Sequence, residues 1–380
     1  MPAGVRPFPL LEAIMKIKAA VARETRADLV LETLDLEEPR ADEILVEVVA
    51  TGVCHTDIVV RDGMLPTPMP VVLGHEGAGI VRSTGSAVTK VKPGDRVVMT
   101  FNSCGYCETC KEHQPSYCYE FFPRNFFATR ADGSTALSKD GERVHGNFFG
   151  QSSFASHAIC NERNVVKVPE GAPLELLGPL ACGIQTGAGA VLNALKVREG
   201  KSFAVFGAGS VGLSAVMAAK VAGARTIIAV DLNPDRLELA KELGATHVIN
   251  PKAEDATAAI LALTGAGVNY ALDTTGLPPV IRSAVMALAN AGTCGILGAS
   301  GPEAELQINE MHFMSGGRRL MGIVEGESDP DVFIPHLVEL YKKGLFPFDK
   351  LITFYEFDEI NAAIHASETG SAIKPVLRMA

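Results

Sequence analysis

Between Phe203 and Asp231 the chain carries a pattern that few folds can accommodate. Phe203-Ala204-Val205-Phe206 is an apolar run long enough for one buried strand. It leads directly into Gly207-Ala208-Gly209-Ser210-Val211-Gly212, then into helix-forming residues 213–220. A second apolar run, Thr226 to Val230, follows and stops at Asp231. Strand, glycine turn, helix, strand and acid, in that order, form a βαβ unit able to bind a dinucleotide. The glycines allow a tight turn, close backbone approach to a pyrophosphate and close packing of helix on strand, and the free N–H groups at the helix start suit the diphosphate. Asp231, 19 residues beyond Gly212, stands where a carboxylate can bond the ribose hydroxyls. A glycine triad alone also marks ordinary turns. The flanking strands and the acid make Gly207, Gly209, Ser210, Val211, Gly212 and Asp231 candidate cofactor residues.

The remaining chain arranges itself around this unit. Beyond Asp231 the signals alternate: a helix over Pro234–Leu243, strands at His247–Ile249 and Val268–Asp273, a helix over 279–288 and a strand at 293–297. That alternation predicts a doubly wound parallel sheet. Near Met321 the pattern gives way to irregular glycine-rich chain, and helices over 334–343 and 357–367 close the protein. Residues 16–49 read as short strands, and the first third is rich in strands, prolines and glycines, without long helical periodicity. At 380 residues the chain is too long for one core, so two domains are expected.

Composition narrows the partners. The formal net charge is −10 and no basic run stands out, which argues against nucleic acid. No apolar run approaches a membrane span, and the first residues lack the pattern of a secretory signal. Met15 reads as a second possible start, with the preceding segment a tail. Eight cysteines, four of them clustered, point to metal before disulfides and to a cytoplasmic protein.

Cys104, Cys107, Cys110 and Cys118 are separated by two, two and seven residues. Thiolates so close can surround one ion tetrahedrally, as in closed structural zinc sites, although an iron–sulfur cluster accepts the same donors. An aromatic-dense loop follows, with Phe121, Phe122, Phe126, Phe127, Phe148, Phe149 and Phe154. Most of these rings are expected to bury the loop against its own domain, and some to face an apolar pocket. Cys54, His75 and Cys182 are far apart in sequence and individually unremarkable. Two thiolates and one imidazole nevertheless make an open zinc site with a position left for substrate.

Over nearly its whole length after Met15 the chain resembles the zinc-dependent medium-chain alcohol dehydrogenases. The stretches that carry the resemblance are Gly52-Val53-Cys54-His55-Thr56-Asp57, Gly74-His75-Glu76, Pro93-Gly94-Asp95-Arg96-Val97, the cysteine quartet and the glycine turn ending at Asp231. Within that family, Gly150-Gln151-Ser152-Ser153-Phe154, Leu176-Leu177-Gly178-Pro179-Leu180, Cys182-Gly183-Ile184-Gln185-Thr186-Gly187 and Gly344-Leu345-Phe346-Pro347-Phe348-Asp349 are most similar to the aryl-alcohol and geraniol dehydrogenases.

The resemblance implies an α/β protein with a GroES-like β-rich catalytic domain (15–184 and 323–380) and an inserted Rossmann domain (185–322). It implies two zinc ions per chain, NAD as cofactor, and a small alcohol or aldehyde as substrate in a homodimer or homotetramer. Cys54, His75 and Cys182 become catalytic-zinc ligands, and the cysteine quartet becomes the structural zinc site. Glu76 is a nearby carboxylate able to join the metal transiently, and Asp57 orients His75. Thr56 hydrogen-bonds the substrate hydroxyl, His55 contacts the pyrophosphate or accepts the proton, and Lys374 matches a basic pyrophosphate contact. Phe101 and Phe154 are expected on the substrate wall. One departure stands out: many relatives have a histidine three residues after the position of Thr56, where this chain has Val59. Glutathione-dependent formaldehyde and sugar-alcohol dehydrogenases are the rival enzymes. A non-catalytic relative keeping only the fold is the rival outside enzymology.

Overall fold

The computed structural model describes residues 14–301 and 303–379. The reading of the first residues as a tail concerns positions outside that range. Three sheets organise the chain. The nucleotide-turn region forms a six-stranded, wholly parallel sheet in the spatial order His247–Ile249, Thr226–Val230, Ser202–Phe206, Val268–Asp273, Leu288–Ile296, Arg319–Gly322. In chain order that is 3-2-1-4-5-6, the doubly wound arrangement whose direction reverses beside Ser202–Phe206. The strands are buried almost without interruption, as from Phe203 to Phe206 and Ile227 to Val230, because helices cover both faces.

Helix boundaries follow local chemistry. Pro234–Leu243 begins with proline and is capped by Asn233, whose side chain accepts from the Asp235 N–H. Ala256–Thr264, not anticipated from sequence, is capped by Asp255, whose carboxylate accepts from the Ala258 N–H at 2.7 Å. Arg319–Gly322, expected to be irregular, is the sixth strand, paired with Leu288–Ile296. Its residues are only partly buried or exposed, so the apolar run that would betray a buried strand is missing.

The other two sheets come from the beginning and end of the chain. Glu43–Gly52 is central to one, pairing with Gly77–Thr84, His157–Asn161 and the last strand, Lys374–Arg378. The final residues thus return to the first third of the protein. A smaller sheet contains Met15–Ala22, Val30–Leu36, Val71–Val72, Leu137–Lys139 and Glu142–Val144. Between the β-rich part and the parallel sheet runs the helix Gly183–Gly189, continued by a π-helical turn over Ala190–Ala194. One apolar core spans both parts, joining Ala78, Val98 and Leu180 to Phe203, Leu213 and Leu337.

Candidate active site

The strand Glu43–Gly52 delivers Cys54 to the start of the short helix His55–Arg61. Asp57, in the first turn of that helix, is buried and accepts from the Cys54 N–H at 3.0 Å through Oδ2. Its Oδ1 accepts from the Gly74 N–H at 3.0 Å and meets His75 Nδ1 at 2.9 Å. One carboxylate therefore ties the first cysteine to the histidine and fixes the ring so that Nε2 is the free nitrogen. Gly74 is required by its φ of +90° and by the Phe154 ring, which would lie 2.6 Å from an added Cβ. Cys182 comes from the other direction, at the junction between the turn Gly178–Ala181 and the helix Gly183–Gly189.

Ligand atoms of Cys54, His75, Glu76 and Cys182 all lie within 4.8 Å of one another. The two sulfurs are 4.0 Å apart, and His75 Nε2 is buried without a hydrogen-bond partner. An orphaned imidazole nitrogen among thiols is costly unless a cation joins them, so the donor set fits zinc. The electrostatics divide the two thiols: contact with Cys54 and burial push Cys182 well above its usual range. Contact with Cys182 and the positive charges of His75 and Lys374 outweigh burial and pull the Cys54 thiol well below its usual range. Burial disfavours a charged His75, yet Asp57 and Cys54 outweigh it and raise the imidazole pKa. A positive charge is welcome where an ion would bind.

Glu76 is fully buried, and burial pushes its carboxyl up to about 6 against the opposing pull of Lys374. Its Oε2 would lie 2.0 Å from a Cβ on Gly52, so that glycine makes room for it. Lys374 has a partner that the sequence did not indicate. Its ammonium is buried and donates to Glu76 Oε1 at 2.8 Å, Glu76 Oε2 at 2.9 Å and the Val53 carbonyl at 3.2 Å. It serves as the counter-ion of Glu76. His55 is exposed and Thr56 half-buried, its hydroxyl 3.8 Å from the Cys54 sulfur.

The aromatic loop divides. Phe149 stacks on His75 with ring centroids 4.5 Å apart, and Phe148 meets the same ring edge-on at 5.6 Å. Phe121 and Phe126 pack on Phe149, and Phe101 on Phe121. Phe154, expected on the substrate wall, is wholly enclosed against Gly74 and supports the His75 loop instead. Sequence reasoning missed Glu325, which is buried with Oε1 3.9 Å from the Cys182 sulfur and Oε2 accepting from the Thr186 hydroxyl at 3.2 Å. Burial pushes its carboxyl up to about 7. No periodicity marks it; acids on either side of a glycine read as surface loop.

The quartet also converges. Cys104, Cys107, Cys110 and Cys118 place their sulfurs within 4.8 Å of one another. Backbone N–H groups of Cys107 and Tyr106 point at the Cys104 sulfur, and those of Cys104 and Glu120 at the Cys118 sulfur, at 3.2 to 3.4 Å. Such donors stabilise thiolates, and all eight cysteines are free thiols. At the parallel sheet, Gly207 adopts a φ of +95°, and an added Cβ on Gly212 would lie 1.8 Å from the Gly207 carbonyl oxygen. Ser210 and Val211 open the helix Ser210–Val221. Asp231 accepts from the Ala208 N–H at 2.6 Å and the Asn233 N–H at 2.8 Å. A cavity of about 770 Å³ extends from Gly207 and Asp231 past Arg236 and Lys252 to Thr275.

A Rossmann sheet joined to a β-rich domain, with an open Cys-His-Cys donor set between them, defines the zinc-binding alcohol dehydrogenases, and the chain belongs to that family. The zinc-binding dehydrogenase pattern matches residues 210–343, and the alcohol dehydrogenase GroES-like domain matches residues 40–170. The chain is 49% identical to a geraniol dehydrogenase of Castellaniella defragrans, covering 95% of this chain and 97% of that one. Its structure matches benzyl alcohol dehydrogenase from Acinetobacter calcoaceticus with a TM-score of 0.94 at 50% identity, covering 96% and all of that chain. An alcohol dehydrogenase zinc-binding domain protein from Burkholderia ambifaria matches with a TM-score of 0.96 at 52% identity, covering 97% of this chain and all of that one. The protein is thus an oxidoreductase of alcohols, of a family that uses zinc and a nicotinamide cofactor. Among the described residues no helix is long and apolar enough to cross a membrane.

Proposed function

We propose that the protein is an NAD-dependent alcohol dehydrogenase that interconverts aryl or allylic primary alcohols, of the benzyl alcohol and geraniol type, with their aldehydes. The observation that carries this reading is the convergence of Cys54, His75 and Cys182, with the buried Nε2 of His75 unpartnered. The names of the relatives support the substrate class, and so does the aromatic cluster that runs from Phe149, stacked on His75, through Phe121 to Phe101.

Cys54, His75 and Cys182 hold the catalytic zinc, and Cys104, Cys107, Cys110 and Cys118 hold a structural zinc, giving two ions per chain. When bound, zinc supplies the Lewis acidity that makes an alcohol acidic near neutral pH, and the nicotinamide supplies a hydride acceptor. The protein's own residues do the rest. Asp57 keeps the His75 ring in its ligating orientation, and Lys374 neutralises Glu76. Thr56 hydrogen-bonds the substrate hydroxyl and, as it receives that proton, passes its own hydroxyl proton onward. Val59 cannot relay it, so the exposed His55, or water beside it, accepts it. Phe148 and Phe149 pack on the His75 ring and shield that side chain from water.

Gly207, Gly209, Ser210, Val211 and Gly212 cradle the pyrophosphate, and Asp231 accepts ribose hydroxyls and repels a 2′-phosphate, which favours NAD over NADP. Arg236 and Lys252 line the same cavity and act against that preference, so Asp231→Ser is expected to narrow the gap. Residues 15–184 and 323–380 form the catalytic domain, and 185–322 the nucleotide domain. Eight free thiols suit a cytoplasmic setting, and a homodimer or homotetramer is the expected assembly.

The test is NADH formation from benzyl alcohol by the parent, a chelated sample and Cys54→Ser, with elemental analysis of each. Turnover by the parent, lost in the other two, with two zinc ions in the parent and one in Cys54→Ser, is expected. Full activity with one zinc per chain, or equal efficiency with NADP, contradicts the reading.

A further inference from the structure

The reaction makes no use of a short segment that touches both cysteine sites. It follows the last strand of the parallel sheet and consists of Glu325, Gly326 and Glu327. All three adopt left-handed backbone conformations, with φ of +47°, +66° and +49°. For two glutamates this is a disfavoured conformation, held only where surrounding contacts fix it. Those contacts are on both sides.

On one side the segment presses into the helix that starts at Cys182. A Cβ on Gly326 would meet the Gln185 carbonyl oxygen at 2.5 Å, and one on Gly189 would meet the Gly326 carbonyl oxygen at 2.3 Å. Asn193 Nδ2 donates to that same Gly326 oxygen at 3.2 Å. Glu325 is the end of the segment that reaches the site. Its Oε2 accepts from the Thr186 hydroxyl, and its Oε1 rests 3.9 Å from the Cys182 sulfur, limiting the arc through which that side chain swings.

On the other side stands the quartet lobe. Tyr117, next to Cys118, donates its hydroxyl to Glu327 Oε1 at 3.0 Å and lies 3.3 Å from the Gly322 carbonyl oxygen. Its own carbonyl accepts from the Thr109 hydroxyl at 2.9 Å, and that hydroxyl lies 3.3 Å from the Cys107 sulfur. His113 adds a second tie, with Nδ1 3.2 Å from Asp329 Oδ2. The contacts form an unbroken path from Cys107 and Cys118 through Tyr117, Glu327 and Glu325 to Cys182.

We propose that Tyr117 is a positioning residue for the catalytic metal: through Glu327 it holds the strained Glu325–Glu327 segment against the Cys182 helix, so that the cysteine quartet fixes the geometry of the catalytic ligand set. This rests on the reading of both cysteine sets as metal sites. It gives the quartet a function beyond holding its own loop together.

The test is the rate at which a chromogenic chelator extracts metal from the zinc-loaded full chain. The parent is expected to release two equivalents in two phases, and Cys54→Ser identifies the catalytic phase by abolishing it. Tyr117→Phe keeps the ring and removes only the hydroxyl. It should still carry two equivalents, with the catalytic phase faster by about tenfold, the scale seen when an outer contact of a metal ligand is lost, and the quartet phase unchanged. Glu327→Leu should behave the same way, whereas Glu327→Gln, which keeps an acceptor for Tyr117, should release metal like the parent. An unchanged catalytic phase in Tyr117→Phe, or acceleration confined to the quartet phase, overturns the proposal and leaves the two-site reading intact. Fewer than two equivalents in the parent overturns that reading itself.

Discussion

Lys374 and Glu76 show how a single residue's role depends on what lies beside it. Both are buried, and each is the other's only opposite charge within hydrogen-bond reach among the described residues. Removing one partner leaves a charge in a low-dielectric interior. Lys374→Met is therefore expected to destabilise the protein by about 3–5 kcal/mol, read from urea unfolding. The double variant Lys374→Met with Glu76→Gln should recover part of that loss, because the stranded charge is gone. A double variant no more stable than Lys374→Met would show that the pair does not act as one. The basic character of position 374 was legible in the sequence, but its partner was not. The two residues are 298 positions apart, and only the pairing of Lys374–Arg378 with Glu43–Gly52 brings them together. Glu325 was invisible for a related reason, since its burial depends on a loop conformation that residue types do not encode.

Elements carried more of their own evidence. The turn from Gly207 to Gly212 and the acid at 231 needed no tertiary information, because strand, glycine spacing and helix are all local. Gly212→Ala places a methyl group 1.8 Å from the Gly207 carbonyl oxygen, and the turn must open to admit it. NADH affinity, followed by fluorescence titration, is expected to fall by at least tenfold, about 1.4 kcal/mol; unchanged affinity would mean that the turn does not cradle the cofactor. The strand Arg319–Gly322 was illegible because an edge strand lacks the buried apolar run that marks its neighbours.

In the small sheet, Glu32 bonds Arg23 through both oxygens and also accepts from Lys139, tying the strands Val30–Leu36 and Leu137–Lys139 to the residue that follows Met15–Ala22. The hydrogen bonds from Arg23 hold its carboxyl at about 2 in the folded protein. A folded pKa below the unfolded one adds stability that is present above about pH 4.5 and lost as pH falls toward 2. Glu32→Gln should thus be less stable than the parent at pH 7 by on the order of 2–3 kcal/mol, the difference shrinking across that acid window. A difference independent of pH would show that packing, not charge, is lost.

At the scale of the molecule, the two-domain division and the fold class could be read from the order of β-rich and alternating segments, together with the family resemblance. The site could not be assembled from spacing, since Cys54, His75 and Cys182 are up to 128 positions apart and meet only in the folded chain. The resemblance supplied that grouping, and the unpartnered His75 Nε2 gives it a physical reason. Aryl and allylic alcohols offer more apolar surface than ethanol, and each apolar contact contributes on the order of 1 kcal/mol to discrimination between alcohols. The most direct test is catalytic efficiency of the zinc-loaded enzyme with NAD, measured in parallel on benzyl alcohol, geraniol, ethanol and sorbitol. Benzyl alcohol and geraniol are expected to exceed ethanol by roughly tenfold or more, with sorbitol not turned over. Ethanol equal to both, or sorbitol preferred, would contradict the account.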